Sequence, residues 1–294
     1  MRHLFLLLML LVATLVQAEE IKLVQDGITL NANLESVDGN WPKGPVVLMT
    51  HGTLAHNRME IIETLQQLFQ ENGVSSLAIN LSLGLSDRHG MYACETPHTH
   101  RHTDALDEIG IWLSWLKKQG AESVVLMGHS RGGGQTAWFA AERDEPALKR
   151  VILVAPGIWS EAGAAAGYRK RYGKPLGSVL EEAESLVGEN KGDILLKNVG
   201  FIYCSETSAT AFAFVSYYRP DKRFNTPHLL QKIAKPVLIF VGSEDRVVKG
   251  LEEKIAPLLE RNGIELEVID GADHYFRDLY AEDLVERALE FIAQ

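Results

Sequence analysis

The sequence predicts an α/β fold: a mostly parallel sheet of the eight-stranded type, helices on both faces, and an insertion between two late strands. Three observations carry that expectation. Short β-branched runs alternate with amphipathic helical segments along most of the chain. Glycines punctuate the joints between them. The stretch from Gly157 to about Leu230 breaks the alternation and contains no clear buried strand, as an insertion would.

Taken in order, Ile21–Val24 and Ile28–Leu34 flank Asp26-Gly27, a turn dipeptide, and predict an antiparallel hairpin. Pro45–Thr50 (PVVLMT) is a buried strand leading into His51-Gly52. Ile62, Leu65, Leu68 and Phe69 recur at helical spacing between Met59 and Glu71, and Gly73 ends that helix. Val74–Asn80 is the next strand, and Thr103–Lys118 the next helix, with Leu106, Ile109, Leu113 and Leu116 on one face. Ser123–Met127 (SVVLM) is a central strand, followed by a helix from about Ser130 to Arg143 and a strand at Val151–Ala155. Pro236–Val241 and Glu265–Ile269 are the last two strands, with helices filling the remainder. Within the insertion, Val179–Val187 predicts a helix. Its aromatics, including Trp159, Phe201, Tyr203, Phe212, Phe214, Tyr217 and Tyr218, are expected mostly to pack its own core.

The chain has 294 residues, 46% hydrophobic and 23% charged, which suits a packed soluble protein. Residues 1–18 differ from the rest. Arg2 and His3 precede an apolar run from Leu4 to Val16, and Val16-Gln17-Ala18 ends in the small residues a signal peptidase requires. The run is shorter than the ~18 residues that mark a membrane span. A cleaved signal peptide, with the mature domain at 19–294 and its cap insertion at about 157–230, is therefore expected. So are export to the periplasm or medium and no stable membrane insertion after cleavage. The net charge of −10 gives no electrostatic help toward nucleic acid, which is not an expected partner, whereas neutral or cationic small molecules are compatible. Cys94 and Cys204 are the only cysteines. In an oxidising compartment they can form one disulfide; two buried thiols are the other reading.

Gly128-His129-Ser130-Arg131-Gly132 fits G-x-S-x-G, and it lies between a predicted strand and a predicted helix. A serine hydroxyl is a weak nucleophile until a base reaches it. A sharp strand-to-helix turn holds it out, and glycines on both sides relieve the crowding that the turn creates. The helix N-terminus brings the positive end of its dipole near any developing oxyanion.

With that motif, the chain resembles the α/β-hydrolase fold family over nearly its whole mature length. The resemblance implies a triad in the order serine, acid, histidine. The strand PVLIFV runs into Gly242-Ser243-Glu244-Asp245, where the resemblance implies that Asp245 is the acid, with Glu244 as its neighbouring competitor. The strand ELEVI leads to Gly271-Ala272-Asp273-His274, which marks His274 as the base. The backbone N–H of Arg131, the residue after the nucleophile, is one expected oxyanion donor. By resemblance the other is Thr53 after His51-Gly52, with Leu54 second. The loop Asn80-Leu81-Ser82-Leu83-Gly84-Leu85-Ser86 is similar to the family's D-x-R-G-x-G-x-S but departs from it: asparagine stands for aspartate and Ser82-Leu83 for arginine–glycine.

His89, Cys94, His98, His100 and His102 crowd one stretch. Their spacing fits no standard zinc site, and a polar loop near the pocket mouth is expected instead. The function these residues point to is hydrolysis of a carboxylic ester or related acyl bond in a small-molecule substrate, through an acyl-serine and without a cofactor. A thioesterase, amidase, peptidase or acyltransferase would use the same triad. A metal-dependent hydrolase built on the histidines, or a non-catalytic binding protein of this fold, is a more distant alternative.

Overall fold

A computed structural model describes residues 18–37, 41–42, 44–260 and 263–294. The expected signal peptide falls almost wholly outside the described residues. The chain opens with β1 (Glu19–Gln25) and β2 (Ile28–Glu35), joined at Asp26 and Gly27, both at positive φ as this tight antiparallel turn requires. There follow β3 (Val46–Thr50), α1 (Glu60–Glu71), β4 (Ser75–Asn80), α2 (Asp104–Lys118), β5 (Val124–His129), α3 (Arg131–Glu142) and β6 (Leu148–Val154). After β6 come α4 (Glu161–Tyr172), α5 (Leu176–Gly188), β7 (Leu195–Phe201), β8 (Cys204–Thr210), α6 (Ala211–Tyr218) and α7 (Thr226–Leu230). The chain then returns through β9 (Val237–Gly242), α8 (Leu251–Ile255), β10 (Ile264–Ile269) and α9 (Leu279–Ala293).

Eight strands form one sheet in the order β1-β2-β4-β3-β5-β6-β9-β10. β2 runs antiparallel to both β1 and β4, and every other pairing is parallel. Successive residues of the central strands enter opposite cores. Val46, Leu48, Val124 and Leu126 pack with Ile109, Trp112 and Leu113 of α2. Val47, Met49, Val125 and Met127 pack with Leu65 and Phe69 of α1 and with Leu284 and Phe291 of α9. Each such side chain fully buried contributes about 1.5–3 kcal/mol, so helices on both faces follow directly from strands apolar on both sides.

The insertion between β6 and β9 has its own core, with Tyr168, Leu176, Ala183, Phe201 and Phe214 at its centre. It also holds the antiparallel hairpin β7–β8, where the sequence showed no buried strand. The register of that hairpin shifts twice, around Asn198, which adopts φ 54°. These irregularities scramble the period-two alternation that marks a strand.

Cys94 and Cys204 are bridged, across a sequence separation of 110 residues. The bridge ties the loop before α2 to β8. The same loop pairs by backbone hydrogen bonds from His98 to Ser208 and from Thr210 to His98. Closing so long a loop in the unfolded chain is worth about 3–5 kcal/mol. The Cys94→Ser/Cys204→Ser variant is therefore expected to melt many degrees below the wild type, and a reductant should lower the wild-type melting temperature alone. Unchanged melting in both comparisons would show that the bridge contributes nothing.

Candidate active site

The C-terminal ends of β5, β9 and β10 lie close together because β5-β6-β9-β10 are consecutive in the sheet. Ser130 follows β5, Asp245 follows β9 and His274 follows β10. Ser130 Oγ lies 2.9 Å from His274 Nε2, and His274 Nδ1 lies 2.8 Å from Asp245 Oδ2. Residues 144 apart in sequence thus meet at one rim.

Ser130 sits at φ 56° and ψ −121°, a strained conformation for a non-glycine residue. The turn is compact enough that a Cβ on Gly128 would lie 2.5 Å from the Gly132 carbonyl oxygen. One on Gly132 would lie 2.2 Å from the His51 carbonyl oxygen. Any side chain at either position would push α3 off the sheet, which is why the motif needs both glycines.

Asp245 is held in place through both oxygens. Oδ1 accepts from the N–H groups of Val247 (2.7 Å) and Val248 (2.9 Å), while Oδ2 faces His274. Burial raises the carboxyl's pKa, but the hydrogen bonds from His274 and the two N–H groups outweigh it, and the net shift is downward. Asp245 therefore stays ionised opposite the imidazole. The side chains of His274 and Asp245 are 5% and 3% exposed, so this charge acts in a dry setting. Glu244, the sequence competitor, is exposed and faces Arg246 instead.

Arg131 opens α3, so its N–H belongs to the first turn, which has no intrahelical acceptor. The loop after β3 comes alongside: a Cβ on Gly52 would sit 3.4 Å from Ser130 Cβ. Thr53 and Arg131 both line the cavity at Ser130. The two residues expected to supply the oxyanion donors thus border the cavity at the serine.

Two histidines whose roles the sequence did not disclose brace this arrangement. His129, the unspecified position of G-x-S-x-G, donates from Nε2 to the His274 carbonyl at 2.9 Å. Burial pushes its pKa down to about 4, which keeps it neutral. His51 accepts the Leu81 N–H at Nε2, which leaves Nδ1–H to donate to the Gly52 carbonyl at 2.9 Å. The peptide unit so fixed is the one whose N–H belongs to Thr53. Placement directly before Gly52 was the only sequence signal for this role.

The departures in the loop after β4 have a structural reason. Asn80 Oδ1 accepts from Arg88, and Asn80 Nδ2 donates to the Arg88 carbonyl; an aspartate has no such donor. The buried Arg88 guanidinium also donates to the carbonyls of Leu81 (2.8 Å), Gly90 (2.6 Å) and Ala55 (2.8 Å), folding the loop after β4 on itself and tying it to the loop after β3. Ser82 is clamped by the buried carboxyl of Glu108, through Oγ at 2.6 Å and N–H at 2.8 Å.

The histidine stretch differs from the expected polar loop. His98, His100 and His102 are buried under the insertion, among Tyr92, Trp138, Phe201, Tyr217 and Phe224. The Tyr217 hydroxyl and His100 Nδ1 share a hydrogen bond (2.8 Å), as do His100 Nε2 and His98 Nδ1 (3.2 Å). His89 lies apart on the surface, with Glu20 and Asp87, both already paired with Lys22.

A cavity of about 450 Å³ opens at Ser130 beneath the insertion. Trp159, Tyr203, Tyr217 and Tyr218 line it, more of the insertion's aromatics than the sequence reading assigned to a pocket. Phe201 and Phe214 are core residues, as expected.

A family model described as alpha/beta hydrolase family matches residues 46–288. No match is found among curated proteins. Among solved structures the chain is similar to Est1E from Butyrivibrio proteoclasticus, with 24% identity, 94% of this chain and 99% of that one covered, and a TM-score of 0.63. It is similar to a second structure of Est1E with ferulic acid bound, with 24% identity, 93% and 98% covered, and a TM-score of 0.64. It is also similar to the Pyrococcus furiosus esterase Pf2001, with 17% identity, 95% and 92% covered, and a TM-score of 0.61. At these identities the likeness establishes the fold.

Proposed function

The chain belongs to the alpha/beta hydrolase family, and from that premise we propose that it is a serine hydrolase cleaving a carboxylic ester of a small molecule through an acyl-serine. The observation that carries this reading is the unbroken hydrogen-bonded series Ser130–His274–Asp245. His274 Nε2 takes the Ser130 proton as Oγ attacks the ester carbonyl. Ionised Asp245 holds Nδ1 as the proton-bearing nitrogen and stabilises the imidazolium. The N–H groups of Arg131 and Thr53 receive the oxyanion. His274 then protonates the leaving alcohol and activates water to release the acid. No step requires a cofactor.

Labelling with a fluorophosphonate probe, followed by a panel of 4-nitrophenyl esters, thioesters and aminoacyl amides, tests the proposal. The expected result is one label, on Ser130, and turnover of esters. Absence of labelling would leave a binding protein of this fold. Turnover of amides or thioesters without esters would replace the reaction class. Asp245→Asn should lower kcat by about 10³–10⁴-fold, because the amide stabilises the wrong imidazole tautomer. Glu244→Gln should stay close to wild type; the reverse ranking would mean that the acid is misassigned.

We also propose that the protein is exported after loss of residues 1–18. The apolar leader supports this, as does a disulfide of the kind that persists in oxidising compartments. Among the described residues no helix is long and apolar enough to cross a membrane. Cell fractionation with a mass measurement of the mature N-terminus tests it: an intact Met1 on cytosolic protein would overturn the proposal.

A further inference from the structure

The protein is acidic, with a net charge of −10, yet the cavity at Ser130 is lined by Arg131, Arg171, Arg223 and Lys249 and by no carboxylate. One of these cations is already compensated: Arg223 pairs with Asp221 and Glu142. Among the described residues, Arg131, Arg171 and Lys249 form no ion pair. Arg171 and Lys249 are exposed at the rim, but Arg131 is half-buried and immediately follows the nucleophile. Its Nε donates to Thr53 Oγ1 at 3.0 Å, and its guanidinium carbon lies 5.4 Å from the Tyr217 ring centroid. These contacts fix the guanidinium over the cavity wall beside Ser130 and leave its remaining donors without a partner among the described residues.

The remaining donors of that guanidinium are open to the cavity it lines, where an anion can complete them. Guanidinium geometry suits the paired oxygens of an oxyacid. Resting on the ester-hydrolase reading above, we propose that the natural ester carries a second, anionic oxyacid group, a carboxylate or a phosphate, that docks on Arg131 with Arg171 and Lys249 guiding its entry. The acidic exterior then works against indiscriminate anion binding, and the pocket alone reverses the sign of the local field.

Two matched pairs of esters test this and show on which side of the bond the anion lies. On the acyl side the pair is 4-nitrophenyl hydrogen adipate and 4-nitrophenyl methyl adipate. On the leaving-group side it is 3-carboxy-4-nitrophenyl butyrate and its carboxy-methyl ester. In at least one pair the wild type should prefer the anionic member by about 10- to 100-fold in kcat/KM at low salt, with the preference shrinking as salt rises. Arg131→Met should bring that ratio toward one, and Arg131→Lys should recover part of it. A preference for the neutral member in both pairs, or a ratio indifferent to Arg131→Met, overturns the proposal. Phenyl phosphate against benzoate as competitive inhibitors separates phosphate from carboxylate. Calorimetric binding of the adipate pair to Ser130→Ala keeps the two readings apart. If no ester is turned over, the hydrolase reading fails. The anion site still stands or falls on whether the charged adipate binds more tightly than the neutral one.

Discussion

Ser130→Ala is expected to lower ester turnover by about 10⁴–10⁶-fold while leaving the protein folded. The size follows from the geometry. Ser130 Oγ is the atom within reach of His274 Nε2, and among the described residues no other hydroxyl lies at hydrogen-bond distance from that nitrogen. Deleting it leaves the proposed oxyanion donors and the cavity, whose residual effect over water is all that remains. The fold should be unaffected because only one partly exposed oxygen is removed. The strained φ of 56° is imposed by the turn and is no worse for alanine than for serine. The bracing contacts of the site also bypass Ser130 Oγ. His129 holds the His274 carbonyl, and Val247 and Val248 hold Asp245. Steady-state rates with a 4-nitrophenyl ester, beside a thermal melt, decide the matter. A variant that melts like the wild type and retains more than about one-hundredth of its activity would rule out Ser130 as the nucleophile.

The sheet, both helical layers and the rim positions of Ser130, Asp245 and His274 were legible because they rest on strong local signals. A run such as SVVLM, apolar at every position, has to be buried on both faces. A glycine–x–serine–x–glycine junction has few other uses between a strand and a helix. What stayed hidden depends on tertiary surroundings. Asn80, read as a departure, makes sense only beside the Arg88 carbonyl to which it donates, and that contact is invisible in a linear pattern. The β7–β8 hairpin lost its alternation to shifts in register. His98, His100 and His102 look polar in sequence, but they are buried because aromatic rings surround them and Tyr217 gives His100 a hydrogen-bond partner. Net charge was informative for the exterior and misleading for the cavity, since the sequence does not say which of its arginines face inward.

Those buried histidines carry the second large expectation: the protein should lose stability steeply in mild acid. His51, His98, His100, His102 and His129 all have depressed pKa values, to about 3, 4 and 3 for the first three, well below normal for His102 and to about 4 for His129. Burial is the main cause at each; Arg88 near His51 and Arg131 near His102 add to it. In the unfolded chain each histidine takes up a proton near pH 6.5, whereas the folded chain refuses it until far lower pH. Their contribution is therefore complete above about pH 6.5 and is lost as pH falls toward the folded values. Each group costs about 1.4 kcal/mol per pH unit once well below 6.5. Glu108 opposes this, since burial raises its pKa to about 7 and protonation then favours the folded state. Burial raises the carboxyls of Glu35 and Asp104 too, and Glu20 raises His89, but these shifts are smaller; His56, also lowered by burial, adds a sixth histidine to the losing side, and the depressed pKa of Asp245 matters only in stronger acid. The balance is several kcal/mol per pH unit, set against a total stability of about 5–15 kcal/mol. Melting temperature should be level above pH 7, drop sharply below about pH 6, and reach acid unfolding near pH 5. His98→Phe, which removes one protonation site from an aromatic setting, should make the decline shallower, provided that the variant melts cooperatively at neutral pH. A melting temperature at pH 5 equal to that at pH 7.5 would mean that these imidazoles are already solvated in the folded protein, and that the packing over them is looser than the structure describes.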